Sequence, residues 1–72
     1  MTPFNPQEIE IMKQTASGHT AKEVAKHIGL EYRTVESYLA TIKKKLGAKN
    51  VVHAVYIACT NHLMKKALFE NN

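Results

Sequence analysis

Arg33, Ser37, Ala40, Thr41 and Lys44 recur at helical spacing within EYRTVESYLATIKKKL, Glu31 to Leu46. At about 100° of turn per residue they share one side of a helix, where they set a guanidinium, two hydroxyls and an ammonium beside a methyl group. These groups donate hydrogen bonds and carry positive charge, and no bulky apolar residue interrupts them. The chemistry they suit is non-covalent contact with a groove lined by phosphates. The same composition also suits a merely solvated helix face, so the neighbouring segments decide between the two. Bond-making chemistry has no comparable constellation: His19, His27, His53 and His62 are scattered without metal-ligand spacing, and no Ser-His or Cys-His arrangement is evident. The three glycines fall at helix ends and not in a phosphate-cradling loop. The reading is therefore a binding protein, not an enzyme, with no metal or cofactor implied.

The elements that must hold this face follow from the same periodicity. Val35, Leu39, Ile42 and Leu46 stand at i, i+4, i+7 and i+11 and form an apolar stripe on the opposite side, which must face a core. Ahead of it, Asn5-Pro6-Gln7-Glu8 reads as a helix start: an Asn cap, Pro at the first helical position, and Glu closing a capping box. Phe4 is placed as a hydrophobic staple. The helix is expected to run to about Ser17, with Ile9, Ile11, Met12 and Ala16 buried, Glu8, Glu10, Lys13 and Gln14 polar, and Gly18 following its end. Thr20 and Glu23 repeat the box and start a short second helix that ends at Gly29, with Val24, Ala25 and Ile28 inward. Glu31 is a poor cap for the third helix, which stops at Gly47 after Lys43-Lys44-Lys45. Two helices joined by a tight turn containing Gly, the second with a small and polar outer face, make a helix-turn-helix arrangement.

Asn50 caps a fourth helix with two apolar stripes. Val51, Ala54, Val55 and Ala58 make one, and Val52, Tyr56, Cys59 and Leu63 the other. A terminal helix has one core to bury against, so the second stripe asks for another surface, most simply a second copy of the chain across a two-fold axis. Residues 64–72 carry no helix stop and read as a tail that either prolongs this helix or frays. His53 is expected to face solvent.

Seventy-two residues, 44% hydrophobic and 22% charged, make one globular all-α domain with its core in residues 5–63. Ten Lys and Arg against six acidic residues give a net charge of +4, which favours an anionic partner, nucleic acid first. Lys65 and Lys66 are too few for a membrane surface. One cysteine excludes an internal disulfide and suits a reducing compartment. No apolar run approaches the roughly 20 residues of a membrane span, and the N-terminus has no signal-peptide pattern, so a cytoplasmic protein is expected.

From Asn5 to Leu63 the order Pro6-x-Glu8-x-Glu10-Ile11, Gly18-x-Thr20-x-Lys22-Glu23-Val24-Ala25, Arg33-Thr34-Val35-Glu36, Ile42-x-x-Lys45-Leu46-Gly47 and Ala54-Val55-x-x-Ala58 resembles the LuxR-type helix-turn-helix domain. The length is similar to that of the stand-alone GerE type. The resemblance implies a four-helix bacterial transcription regulator that docks its third helix in the major groove of double-stranded DNA and forms a homodimer through its fourth. By position it implies phosphate contacts from Thr20, Lys22, Thr34, Tyr38, Thr41 and Lys45, to which the helix face adds Arg33. It implies base reading by Glu36, Ser37 and Ala40, to which the face adds Lys44. The seam would use Val52, Tyr56, Cys59 and Leu63.

Two positions depart from the family's usual pattern: Glu36 stands where Lys is common and Tyr38 where His is common. A tyrosine still donates to a phosphate. A carboxylate is repelled by the backbone unless it accepts from a cytosine amino group or pairs with Arg33 or another cation. The rival reading, with Glu36 as its symptom, is a module of the same fold that binds RNA polymerase or another regulator without binding DNA.

Overall fold

A computed structural model of the chain describes residues 4–61 and 65–66. Four helices follow one another: α1 (Pro6–Ala16), α2 (Ala21–Ile28), α3 (Tyr32–Leu46) and α4 (Val51–Thr60), with no strand among the described residues. Both capping boxes form. Asn5 Oδ1 accepts from the Glu8 backbone N–H at 2.8 Å while Glu8 Oε1 accepts from the Asn5 N–H at 3.0 Å. Thr20 Oγ1 and Glu23 Oε1 make the same exchange at 3.2 and 2.8 Å. Glu31 provides no side-chain cap to α3, as its type suggests. Gly29 and Gly47 close α2 and α3 with φ of +74° and +67°, a left-handed conformation that a side chain disfavours.

Every other helix packs against α3. Helices α1, α2 and α4 all touch it, α1 also touches α2 and α4, and α2 and α4 do not meet. The reason lies in the α3 stripe, where Val35 and Ile42 have no exposed surface and Leu39 has 8%. They join Phe4, Ile11, Met12, Val24, Ala25, Ala54 and Ala58 in one core, with Leu46, Tyr38 and Leu30 packed at its edge. Fully burying a side chain such as Ile42 contributes about 1.5–3 kcal/mol, so the roll of α3 about its axis is fixed by its inner face.

The inner face of α1 differs from the expected one. Ile11 and Met12 are fully buried, but Ile9 and Ala16 are only half-buried, and the third buried position is Glu8, at 2% exposure. A carboxylate occupies that place because Lys45 Nζ meets both its oxygens, at 2.8 and 3.0 Å. His53 is likewise half-buried and not simply turned to solvent. Its Nδ1 accepts from the Lys49 backbone N–H at 3.0 Å while its own N–H donates to Asn50 Oδ1 at 2.7 Å, so it completes the cap of α4. Accepting at Nδ1 requires that nitrogen to be unprotonated.

Candidate nucleic-acid interface

With Val35, Leu39 and Ile42 committed inward, geometry leaves Arg33, Glu36, Ser37, Ala40, Thr41 and Lys44 exposed along the outer side of α3. Thr34 and Tyr38, half-buried, flank this face. Thr34, Ser37, Tyr38 and Thr41 line a shallow open depression there, at i, i+3, i+4 and i+7. Each of the four ends in a hydroxyl, which both donates and accepts. Of these four, helical periodicity alone places Ser37 and Thr41 on the outer face; Thr34 and Tyr38 are the ones the family resemblance adds.

Helix α2 adds Thr20 and Lys22 at its exposed N-terminal turn. The Thr20 hydroxyl accepts the cap bond from the Glu23 N–H at 3.2 Å, which leaves its own O–H as a donor. The Glu23 carboxyl is held below the usual carboxylate range, first by the N–H of Thr20 and further by His19, whose Nδ1 lies 3.7 Å away. Lys22 Nζ stands 5.8 Å above the centre of the Tyr32 ring, so the first turn of α2 is laid against the first turn of α3.

Two expected partners are placed differently. Glu36, weighed above as a partner for Arg33 or another cation, accepts instead from the Tyr32 hydroxyl, one helical turn earlier, at 2.7 Å between Oη and Oε2. That bond pushes the Tyr32 phenol above its ordinary pKa. Lys45, expected to reach a phosphate, lies on the flank of α3 that faces α1: its ammonium is bound to Glu8 and sits 5.4 Å from the centre of the Phe4 ring. Glu8 and Tyr32 are the two residues that reading the sequence missed. Tyr32 and Glu36 at i, i+4 offered a local signal; Glu8 and Lys45, 37 positions apart, offered none.

The second stripe of α4 is outward. Val52 is 79% and Tyr56 64% exposed, and Cys59 is exposed beside them, whereas Ala54 and Ala58 are buried. Leu63, the fourth residue expected in that stripe, lies outside the described residues. Among the described residues no group of three or more His, Cys, Asp or Glu side chains is placed to hold a metal ion. No described helix is long and apolar enough to cross a membrane.

Comparison with known proteins points the same way. A family model described as bacterial regulatory proteins, luxR family, matches residues 2–58. The chain is 35% identical over 63 residues to the transcriptional activator protein BjaR1 of Bradyrhizobium diazoefficiens, covering 88% of this chain and 26% of that protein. It is 37% identical over 57 residues to the HTH-type transcriptional activator RamA of Corynebacterium glutamicum, covering 79% and 20%. To the transcriptional regulatory protein YdfI of Bacillus subtilis it is 39% identical over 57 residues, covering 79% and 27%. The chain thus spans about a quarter of the length of these relatives. No solved structure matches it significantly.

Proposed function

The chain belongs to the luxR family of bacterial regulatory proteins, whose members are transcription regulators and not enzymes, and we propose that it is a sequence-specific, DNA-binding regulator acting in the cytoplasm. It docks α3 in the major groove and pairs through α4. The observation that carries this reading is the outer side of α3, where Arg33, Ser37, Ala40, Thr41 and Lys44 are all exposed while the opposite stripe is locked in the core. A helix fits the major groove of B-form DNA, and its outward residues then face base edges.

In this reading Glu36, Ser37, Ala40 and Lys44 meet base edges, and Thr20, Lys22, Arg33, Thr34, Tyr38 and Thr41 meet phosphates. Ser37 discriminates little and Ala40 offers only a methyl contact to thymine, so phosphate contacts supply most of the affinity and DNA shape part of the preference. Lys45 acts on DNA chiefly by fixing α3 against α1, because its charge is already matched by Glu8. The exposed stripe of Val52, Tyr56 and Cys59 supports a homodimer, which sets two half-sites about 10 bp apart, centre to centre.

Selection from a random duplex pool at about 0.15 M salt, where long-range attraction is screened, tests both parts. Enrichment of an inverted repeat with half-sites one turn apart is expected. If no duplex is retained even at low salt, the module that binds RNA polymerase or another regulator takes its place.

A further inference from the structure

Glu36 is the one acidic group among the exposed residues on the outer side of α3 from Arg33 to Lys44, and the structure holds it by one oxygen only. Oε2 accepts from the Tyr32 hydroxyl at 2.7 Å, and the ring below that hydroxyl is in turn covered by Lys22, with Nζ 5.8 Å from its centre. The chain Lys22, Tyr32, Glu36 therefore runs from the first turn of α2 onto α3. Tyr32 is 43% exposed and is not among the residues packed against the core. Oε1 of Glu36 has no hydrogen-bond partner among the described residues.

A carboxylate can only accept, which decides what it reads. In the major groove guanine presents N7 and O6 and thymine presents O4, all acceptors that repel it. Adenine presents an N6 amino group beside the acceptor N7. Cytosine presents its N4 amino group with no acceptor beside it, so cytosine is the base that a carboxylate oxygen satisfies without an opposing contact. A mobile glutamate on this face would also turn toward any nearby lysine. One whose second oxygen is tied to a phenol on the same helix is oriented before DNA arrives.

Resting on the DNA-binding reading above, we infer that Tyr32 is a positioning residue for base recognition: its hydroxyl aims the Glu36 carboxylate at the amino group of a cytosine. It is distinct from the phosphate-contacting groups, because it acts through Glu36 and not on the backbone.

The test uses the full chain and two variants, Tyr32→Phe and Glu36→Gln. Tyr32→Phe removes only the hydroxyl and leaves the ring under Lys22. Competition binding is measured on the selected half-site carrying each of the four base pairs in turn at the position whose preference Glu36→Gln changes. The wild type is expected to prefer cytosine there by at least about fivefold, and Tyr32→Phe to lose most of that preference at the same position. Salt dependence and thermal unfolding should both stay unchanged, which a structural or phosphate-contacting role would not allow. Glu36→Gln should shift the preference toward adenine, since an amide both donates and accepts. Spectrophotometric titration gives a readout free of DNA: the Tyr32 phenol, identified by its loss in Tyr32→Phe, should titrate lower in Glu36→Gln than in the wild type. Unchanged phenol titration, or Tyr32→Phe with the cytosine preference intact, overturns this inference alone. Absence of salt-sensitive DNA binding by the wild type overturns it together with the DNA-binding reading.

Discussion

The ammonium of Lys45 donates to both carboxylate oxygens of Glu8, at 2.8 and 3.0 Å, although 37 positions separate the two residues. Only 3% of the Glu8 side chain is exposed against 35% of the Lys45 side chain, so the pair is buried at its acidic end and wet at its basic end. Glu8 Oε1 also accepts the Asn5 N–H. One carboxylate thus closes the start of α1 and fastens the end of α3, and the two helices share a fixed point outside the apolar core.

Removing Lys45 leaves a buried carboxylate without its cation. Lys45→Ala is expected to cost about 2–3 kcal/mol, below the full penalty for a buried pair because solvent reaches the ammonium end. Glu8→Ala removes the buried charge itself and leaves an ammonium that solvent reaches, so its cost is chiefly the lost cap bond, about 1 kcal/mol. Urea unfolding should show a lower midpoint at unchanged slope for both, and the double variant should be less destabilised than the sum. Additive losses would mean that the pair does not form in solution.

Acid stability isolates the second capping box. Glu23 has its carboxyl lowered in the folded protein, mainly by the N–H of Thr20. A group with a depressed folded pKa stabilises the fold at pH values above its ordinary value, and that contribution is lost as pH falls through the folded value. The window therefore opens just above the ordinary carboxylate value of 4.5 and extends below it. Glu23→Gln should lower the thermal midpoint at pH 7, where the ionised carboxylate contributes, and converge on the wild type below that window, so that its fall with acid is flatter. An identical acid profile would rule out the box as its source.

What could be read without coordinates was local. Asn5 with Glu8, Thr20 with Glu23, and Asn50 at the start of α4 lie within one turn of their partners, so spacing alone announces them. The stripe of Val35, Leu39 and Ile42 was equally plain, because one periodicity sets both the buried and the exposed side of α3. Glu8 was not legible: a glutamate in a first helical turn reads as polar until a lysine from another helix arrives over it. His53 was misjudged for a different reason. Its ring nitrogen accepts from the Lys49 N–H, one residue before the N–H that a capping-box glutamate would bind, and histidine is not a residue type that announces such a bond. At Tyr32 the i, i+4 spacing to Glu36 is visible in the sequence, but a neutral phenol does not stand out as a carboxylate's partner where Arg33 and lysines are near in the chain.

Salt dependence separates phosphate contacts from base reading on α3. Lys22→Ala and Arg33→Ala each remove one exposed cation, and each should make the log-log slope of affinity against salt shallower by about 1 while weakening all sequences alike. Ser37→Ala should leave the slope in place and change the preferred sequence. Filter binding across a salt series on the selected site and a scrambled one would read both. A sequence-specific effect from Arg33→Ala would move that residue from the backbone to a base edge.

Helix α4 supplies the last test, because its two faces separate folding from assembly. Ala54 and Ala58 fill the core at 1% and 0% exposure, whereas Val52 and Tyr56 stand 79% and 64% exposed and belong neither to the core nor to the residues packed at its edge. A charge at Val52 or Tyr56 should therefore leave the monomer's thermal unfolding close to the wild type, while in a two-fold seam each change is met twice, once from either copy. Val52→Glu and Tyr56→Glu are expected to halve the mass measured by light scattering and to weaken binding to paired half-sites far more than to one. An unchanged mass would place the seam elsewhere. Exposed apolar surface would then mark α4 as the contact for another protein, and the spacing of half-sites would lose its geometric basis.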